Sequence, residues 1–210
     1  MSPRGAAAVL PAASIEVVRA TPDRWADVQI IMAGSADPDD ERGCWCQAPR
    51  GRVSGSGADP SARPRALREQ LAEDPPAGLL AYVDGEVAGW IGFAPRPWLP
   101  RLERSRTIPK LDDLPVWAVL CFRIRVGYRR RGVASALLAA LVENARAHGA
   151  PGLEAYPIEA EGGRLDATFS FVGFVSMFEK AGFTAVAETS AHSAGRERVL
   201  MRLMFDGAAR

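Results

Sequence analysis

Residues 116–148 read as a strand, a turn and a helix, and this turn constrains the fold more than any other feature. Residues 116–126 are mostly apolar, as in a buried strand, and residues 133–148 repeat apolar side chains at i, i+4 spacing, as in a helix packed on a sheet. Between them lies Arg129-Arg130-Arg131-Gly132. At a helix start the backbone N–H groups lack partners and the helix dipole is positive. Because Gly132 has no Cβ to block close approach, the turn predicts a pyrophosphate site.

Two other phosphate-binding loops are excluded by the residues present. A mononucleotide loop needs a Gly-Lys pair, but Lys110 and Lys180 follow Pro109 and Glu179. The nearest match to the dinucleotide pattern GxGxxG is residues 55–60, which end in proline and follow no strand. An arginine-rich loop whose helix start is capped only by solvent remains the alternative.

Two motifs resemble those of the GCN5-related N-acetyltransferases (GNAT). Residues 124–134, Ile-Arg-Val-Gly-Tyr-Arg-Arg-Arg-Gly-Val-Ala, look like the family's motif A, in which Arg/Gln-x-x-Gly-x-Gly/Ala leads from a strand into a helix. Residues 177–183, Met-Phe-Glu-Lys-Ala-Gly-Phe, look like the F-Y-E-K-x-G-F end of a later helix. The resemblance implies an α/β fold with a mixed, mostly antiparallel sheet of six to seven strands and helices on both faces.

The rest of the chain agrees with this order of elements. Asp84-Gly85 is a strong signal for a two-residue hairpin turn. We predict strands or hairpins at 15–19, 79–83 with 86–93, 153–158, and 183–188 with 198–204, and helices at 25–32, at 61–73 and ending at Lys180. Residues 33–60 and 95–115 read as long loops rich in Gly and Pro. We expect one domain over residues 14–206, between tails at 1–13 and 207–210.

Composition narrows the class of protein. With 26 basic and 25 acidic residues, nothing indicates a nucleic acid partner, and no apolar run reaches the ~18 residues of a membrane span. Three cysteines make a poor disulfide framework, which favours a cytoplasmic protein. The bias toward Arg over Lys is typical of a GC-rich bacterial genome. A homodimer is left open.

The resemblance implies acetyl-CoA as cosubstrate. Its pantetheine arm would lie along the backbone of Ile124 and Val126, and its pyrophosphate on the amides of residues 129–134. Arginine side chains would add charge attraction to the phosphates. The residues assigned to acetyl-CoA on this basis are Ile124, Arg125, Val126, Arg129, Arg130, Arg131, Gly132, Val133, Ala134, Ser135, Ser176 and Phe178.

Acetyl transfer to an amine needs a base, because an alkyl ammonium has a pKa of about 10.4. Many family members place an acidic tyrosine where this chain has Phe178, which cannot donate a proton. We therefore expect Glu159 as the base and Tyr156 as a hydroxyl near the sulfur. A surface or packing role is the alternative for both residues.

Cys44-Trp45-Cys46 is an unusual local sequence. With two histidines in the chain, the cysteines make a weak zinc site, and no metal is expected. A cysteine nucleophile lacks a histidine beside it in sequence. We expect residues 33–60 and 95–115 to form the acceptor pocket, with Cys44, Trp45 and Trp98 in contact with the acceptor. Packing of Trp45 in the core is the alternative.

Three functions fit the sequence. The preferred one is an N-acetyltransferase that acts on a primary amine of a small molecule or peptide by direct attack in a ternary complex. The second is a non-catalytic acyl-CoA-binding module, which the phenylalanine at position 178 favours. The third is a toxin that acetylates aminoacyl-tRNA, for which the balanced charge is unfavourable.

Overall fold

Seven strands form one sheet at the centre of the protein. A computed structural model describes residues 14–33, 43, 45–51, 59, 61–159, 171–193 and 195–206. The sheet order is β1-β2-β3-β4-β5-β7-β6, and all neighbours are antiparallel except the parallel pair of β4 and β5. The strands are β1 (Ile15–Arg19), β2 (Gly78–Val83), β3 (Glu86–Pro95), β4 (Trp117–Ile124), β5 (Gly152–Ala155), β6 (Thr184–Ser193) and β7 (Arg196–Met204).

Helices cover both faces of this sheet. They are α1 (Trp25–Met32), α2 (Ala62–Gln70), α3 (Pro100–Glu103), α4 (Val133–Ala147) and α5 (Val175–Lys180). The apolar side of α4, with Leu137 and Leu141, packs in one core cluster together with Phe178 of α5. A second cluster joins α1 and α2 to the sheet around Trp45 and Trp90. The expected mixed, mostly antiparallel sheet between helices is therefore confirmed.

The parallel strands β4 and β5 separate soon after they meet. Their pairing is limited to Trp117 with Leu153 and Ala118 with Glu154. Beyond this point, residues 171–174 lie between the ends of the two strands. The Phe122 N–H donates to the carbonyl of Phe171 at 2.6 Å. On the other side, the Ile158 N–H donates to the carbonyl of Gly173 at 3.2 Å.

Most boundaries agree with the sequence predictions, and the differences have physical causes. The strand predicted at 153–158 ends at Ala155 because β4 has moved away, and Ile158 keeps only isolated bridges. The stretch 95–115 is not all loop: a 3-10 turn at Arg96–Trp98 and α3 begin where prolines favour a helix start. Strand β6 runs to Ser193, past the predicted end at 188.

Candidate functional site

The turn between β4 and α4 adopts a backbone that only certain residues tolerate. Gly127, Arg130 and Gly132 have φ values of 93°, 60° and 82°, in the left-handed region. Gly132 is the N-cap of α4 and makes no side-chain cap. A Cβ built on Gly132 would meet only the Ile15 Cδ1, at 3.8 Å. The space in front of this glycine is therefore open to a ligand.

Backbone N–H groups at the start of α4 are left without partners next to that space. The first hydrogen bond of the helix runs from the Ala136 N–H to the Gly132 carbonyl at 2.9 Å. The preceding amides, of Val133, Ala134 and Ser135, have no hydrogen-bond partner among the residues that the structure describes. Such donors, together with the helix dipole, bind anions.

Three exposed arginines directly precede Gly132 in the turn. Arg129 donates from its Nε to the Ile124 carbonyl at 3.4 Å. The Arg131 guanidinium lies 5.6 Å from the centre of the Tyr128 ring, and Arg125 lies over the same ring at 5.5 Å. No carboxylate pairs with Arg129, Arg130 or Arg131 among the described residues. The turn is thus strongly positive.

The end of β4 presents backbone groups to the gap beside β5. The Arg125 N–H donates to the Ala88 carbonyl of β3 at 2.9 Å, whereas the Phe122 N–H points to the opposite edge and donates to Phe171. Because amides alternate along a strand, the Ile124 N–H also faces the gap. Val126 is 83% exposed at the mouth of the gap. Of the two residues assigned to pantetheine, Ile124 therefore lies at this edge, and Val126 follows two residues after it.

The second motif contributes packing to this region. Phe178 is fully buried, and its ring packs edge-on against Phe122 at 6.1 Å and Phe183 at 5.1 Å between ring centres. Ser176 is exposed on α5. Gly173 has no room for a Cβ, which would lie 2.9 Å from the Phe178 ring. The phenyl ring therefore supports the floor of the gap.

A buried ion cluster lies where β4 and β5 separate. The Glu154 carboxylate, on β5, is fully buried and accepts from Arg96, from Arg202 and from the Tyr156 hydroxyl. Arg96 also donates to Glu103 at 2.9 Å, and Arg202 is bound to Asp112. The hydrogen bonds from Arg202 hold the pKa of Asp112 below its usual value. These charges join the end of β3 to β5 and β7.

The Tyr156 hydroxyl belongs to this cluster, and Tyr156 as a whole is only 4% exposed. Arg96 Nη1 donates to this oxygen at 3.1 Å, while the hydroxyl donates to Glu154. Burial, and next the carboxylate of Glu154, raise the pKa of Tyr156 well above its usual value. The phenol therefore stays protonated at neutral pH and can donate a hydrogen bond but cannot serve as a base.

Glu159 lies apart from the cluster. Its side chain is exposed, and its backbone carbonyl accepts a hydrogen bond from Arg196 at 3.2 Å. The residues that follow, 160–170, lie outside the described part of the chain. Its role as a base stays a prediction.

A cavity of about 170 Å³ borders the point where the strands separate. Five of the nine residues that line it come from the two segments expected to form the acceptor pocket, Pro49 from 33–60 and four from 95–115. Tyr156 and Arg198 complete its polar wall. The lining residues are Pro49, Arg101, Leu102, Ser105, Ile108, Val119, Leu120, Tyr156 and Arg198.

The residues expected to touch the acceptor are placed differently. Trp45 is 1% exposed, stacks on Trp25 at 5.7 Å and lies in the core with Cys46, so it offers no surface to an acceptor. The packing alternative describes it instead, because the large ring is shielded by α1 and α2. Trp98 is 43% exposed and remains a candidate. Cys44 lies outside the described residues.

Sequence reasoning missed the ion cluster and the position of Arg198 in the cavity. A signal for the cluster was present: Glu154 interrupts one apolar strand, and Arg202 interrupts another. Arg198 stands at the polar start of its strand, beside Glu197, and gave no such signal. Charges inside strands that are otherwise apolar need partners. What the sequence did not reveal is that the two strands are neighbours.

Two negative findings apply to the described residues alone. Within them, no three or more His, Cys, Asp or Glu side chains are grouped so as to hold a metal ion. None of their helices combines the length and apolar character needed to cross a bilayer.

Known proteins share this architecture. The sequence profile described as the acetyltransferase (GNAT) family matches residues 42–183, more than half of the chain. No curated protein matches the sequence significantly.

Solved structures match over nearly the whole chain. YncA, a putative acetyltransferase from Salmonella typhimurium solved with acetyl-CoA, is 15% identical, with a TM-score of 0.54, over 93% of this chain and 96% of its own. A GNAT acetyltransferase from Streptococcus pneumoniae is 18% identical, with a TM-score of 0.52, over 91% and 99%. The PaiA N-acetyltransferase of Thermoplasma acidophilum, solved with coenzyme A, is 13% identical, with a TM-score of 0.51, over 91% and 99%. At these identities the likeness shows the fold.

Proposed function

The chain belongs to the acetyltransferase (GNAT) family, and on this premise we propose that it moves the acetyl group of acetyl-CoA to a primary amine. Attack is direct, with both substrates bound at once. The acceptor is a small molecule or peptide. The observation that carries the proposal is the turn at Gly132, with its open space, unpaired amides and exposed arginines.

The residues at this turn fit a pyrophosphate. Left-handed backbone at Gly127, Arg130 and Gly132 turns consecutive N–H groups toward one side, and the missing Cβ of Gly132 leaves room for phosphate oxygens. The amides of Val133 and Ala134 would donate to those oxygens. The Ile124 backbone would hold the pantetheine arm at the free edge of β4.

Acetyl-CoA, when bound, supplies an acetyl group on a thioester with a good leaving group. The chain's own part is to position the amine, to remove its proton and to exclude water. We propose that the Tyr156 phenol, kept protonated by burial, turns its single O–H from Glu154 toward the sulfur or the carbonyl oxygen when acetyl-CoA is bound. Glu159, which is exposed four residues after the end of β5, would take the proton of the amine.

A non-catalytic acyl-CoA-binding module is the second candidate. Two observations favour it: Phe178 has no proton to donate, and the Tyr156 hydroxyl is already bonded to Glu154. Such a module would bind acetyl-CoA tightly but release no free thiol in the presence of amines. Free thiol released above the rate without amine would favour the enzyme.

The test compares the same substitution at two ends of one helix. Gly132→Glu places bulk and negative charge against the pyrophosphate. Gly149→Glu is a matched control, because Gly149, after the other end of α4, also has a left-handed φ, of 67°, and open space around its Cα. Both variants bear the strain of a side chain in this region, about 1–2 kcal/mol.

Calorimetry with acetyl-CoA gives the result. Binding should be lost in Gly132→Glu and kept in Gly149→Glu, while both melt cooperatively by circular dichroism. Unchanged acetyl-CoA affinity in the folded Gly132→Glu variant would overturn the assignment of the site.

A further inference from the structure

Among the described residues that line it, the cavity beside Tyr156 has positively charged side chains and no negatively charged one. Arg101 and Arg198 are among its nine lining residues, and none of the nine is acidic. The remaining wall is mostly apolar, with Leu102, Ile108 and Leu120. An amine acceptor would itself be a cation before it loses its proton. The charge of this cavity therefore does not match a simple amine.

Arg198 has an unusual environment for an arginine. It is half-buried on β7, and its Nε donates to the Tyr156 carbonyl at 3.0 Å. No carboxylate of the described residues forms an ion pair with it. Burial lowers the pKa of Arg198, and the only opposing influence comes from Tyr156. The guanidinium thus lines the cavity without a counter-ion from the described part of the protein.

The two neighbouring buried arginines show the contrast. Arg96 is paired with Glu103 and Glu154, and Arg202 with Asp112 and Glu154. Arg198 instead lies over the Tyr156 ring, 5.9 Å from its centre, and has no carboxylate partner among the described residues. A half-buried guanidinium in this position is shaped to bind a carboxylate through two N–H groups. Since Arg198 uses its Nε on a backbone carbonyl, its Nη donors are left for a ligand.

The cavity also lies where an acceptor must lie. It reaches Val119 and Leu120, the β4 residues directly after the last position paired with β5, Ala118. The proposed path of the pantetheine arm ends at this gap. A ligand with an anionic group on Arg198 would therefore place its other end beside the gap.

We infer that the acceptor is a small α-amino acid with an apolar side chain, held by its carboxylate on Arg198. The inference rests on the proposed function and names the substrate class of the same site. The carboxylate neutralises Arg198, the amino group faces the gap between β4 and β5, and the side chain lies against the apolar wall. A cavity of about 170 Å³ suits a molecule of this size better than a folded peptide segment.

The experiment compares acceptors that differ by the carboxylate alone. The rate of free thiol release from acetyl-CoA is measured with leucine, methionine and phenylalanine, and with the three amines made from them by removal of the carboxylate. A hydrogen-bonded ion pair predicts that each amino acid exceeds its amine in kcat/KM by about 10- to 100-fold. The difference should lie in KM.

Variants connect this preference to Arg198. In Arg198→Gln the preference should fall to within about threefold of unity, because the KM for the amino acids rises much more than the KM for the amines. Arg198→Lys keeps the charge but loses the two-pronged geometry, so it should retain part of the preference. Arg104→Gln is the matched control, because Arg104 is exposed, neighbours the cavity segment and does not line the cavity. It should behave as the wild type.

Calorimetry with acetyl-CoA distinguishes a failure of the proposed function from a failure of the amino acid acceptor. If acetyl-CoA does not bind the wild type, the proposed function fails. If acetyl-CoA binds and the amines react as well as the amino acids, or neither set reacts, the inference of an amino acid acceptor is overturned and the cofactor site stands. If Arg198→Gln folds, a wild-type preference ratio in this variant would overturn the role of Arg198. If Arg198→Gln does not fold, Arg198→Lys decides, and a wild-type ratio in Arg198→Lys would overturn that role.

Discussion

Replacement of Trp45 distinguishes a core residue from a wall of the acceptor pocket. Trp45 is 1% exposed and stacks on Trp25 with 5.7 Å between ring centres. A buried tryptophan removes about 150–250 Å² from water, worth about 4–6 kcal/mol at about 25 cal/mol per Å². Measured truncations of this kind cost about 3–5 kcal/mol. We expect Trp45→Ala to lower the free energy of unfolding by that amount.

The backbone at this position makes the prediction sharper. Trp45 has a φ of 49°, in the left-handed region, so the backbone at this position has a conformation that favours glycine. Trp45→Gly should therefore be more stable than Trp45→Ala by about 1 kcal/mol, although it removes more atoms. Both variants lack the ring, so the difference between their free energies of unfolding measures the backbone strain alone.

Urea unfolding followed by circular dichroism measures both effects, and Trp98→Ala is the control. Trp98 is 43% exposed, so its truncation should cost less than about 1 kcal/mol. In samples kept folded, Trp45→Ala should retain the acceptor KM and the acetyl-CoA affinity of the wild type. A stability change below about 1 kcal/mol together with a raised acceptor KM would refute the reasoning, because a packed core residue cannot give that result.

Three further predictions concern buried groups. Glu154→Gln should lower the free energy of unfolding, measured in urea, by about 3–5 kcal/mol, because two arginines lose their shared carboxylate. Glu103→Gln, at a partly exposed site of the same cluster, should lower it far less. Equal losses in the two variants would contradict a buried ion pair at Glu154. Phe178→Tyr should leave the acetylation rate within a few-fold, since a working general acid is worth about 10²–10⁴, and a hundredfold gain would favour the binding module. The hydrogen bond from Cys121 is the main cause that lowers the pKa of Cys46 from 9.0 to about 7. The contribution of Cys46 to the free energy of unfolding should therefore be complete above pH 9 and be lost as the pH falls to 7. Cys46→Ser should lack this change in urea titrations, and a wild type with no more slope than the variant would count against the thiolate.

Local patterns in the sequence predicted the fold and the strand, turn and helix around Gly132. The bounds of β1 and α1 agree with prediction, because Thr21-Pro22 signals a helix start and the apolar spacing is regular. Asp84-Gly85 forms the expected hairpin, since a turn depends on its own residues. The conformation of the Arg129–Gly132 turn likewise depends on a residue of the turn, because Gly132 tolerates a φ of 82°.

Contacts between distant segments were harder to predict. Trp45 lies in a stretch rich in Gly and Pro, which suggests exposure, yet it is buried because α1 and α2 close over it. The arginine partners of Glu154 come from the turn directly after β3 and from β7, at sequence distances of 58 and 48 residues. Periodicity describes which face of a strand is buried, but it does not say which strand lies beside it.

The ion cluster at Glu154 has a consequence for the kinetics of ligand entry. Glu154 occupies the last paired position of β4 and β5, and arginines from both neighbouring sides hold its carboxylate. The fork between the strands is thus preorganised: its apex is braced by electrostatics where the backbone ladder stops. A ligand that enters a preformed cleft loses little free energy to reorganisation of the protein. The rate of ligand association should then be governed by diffusion and by the positive field of the Arg129–Gly132 turn. This rate should fall as the salt concentration rises, because salt screens that field.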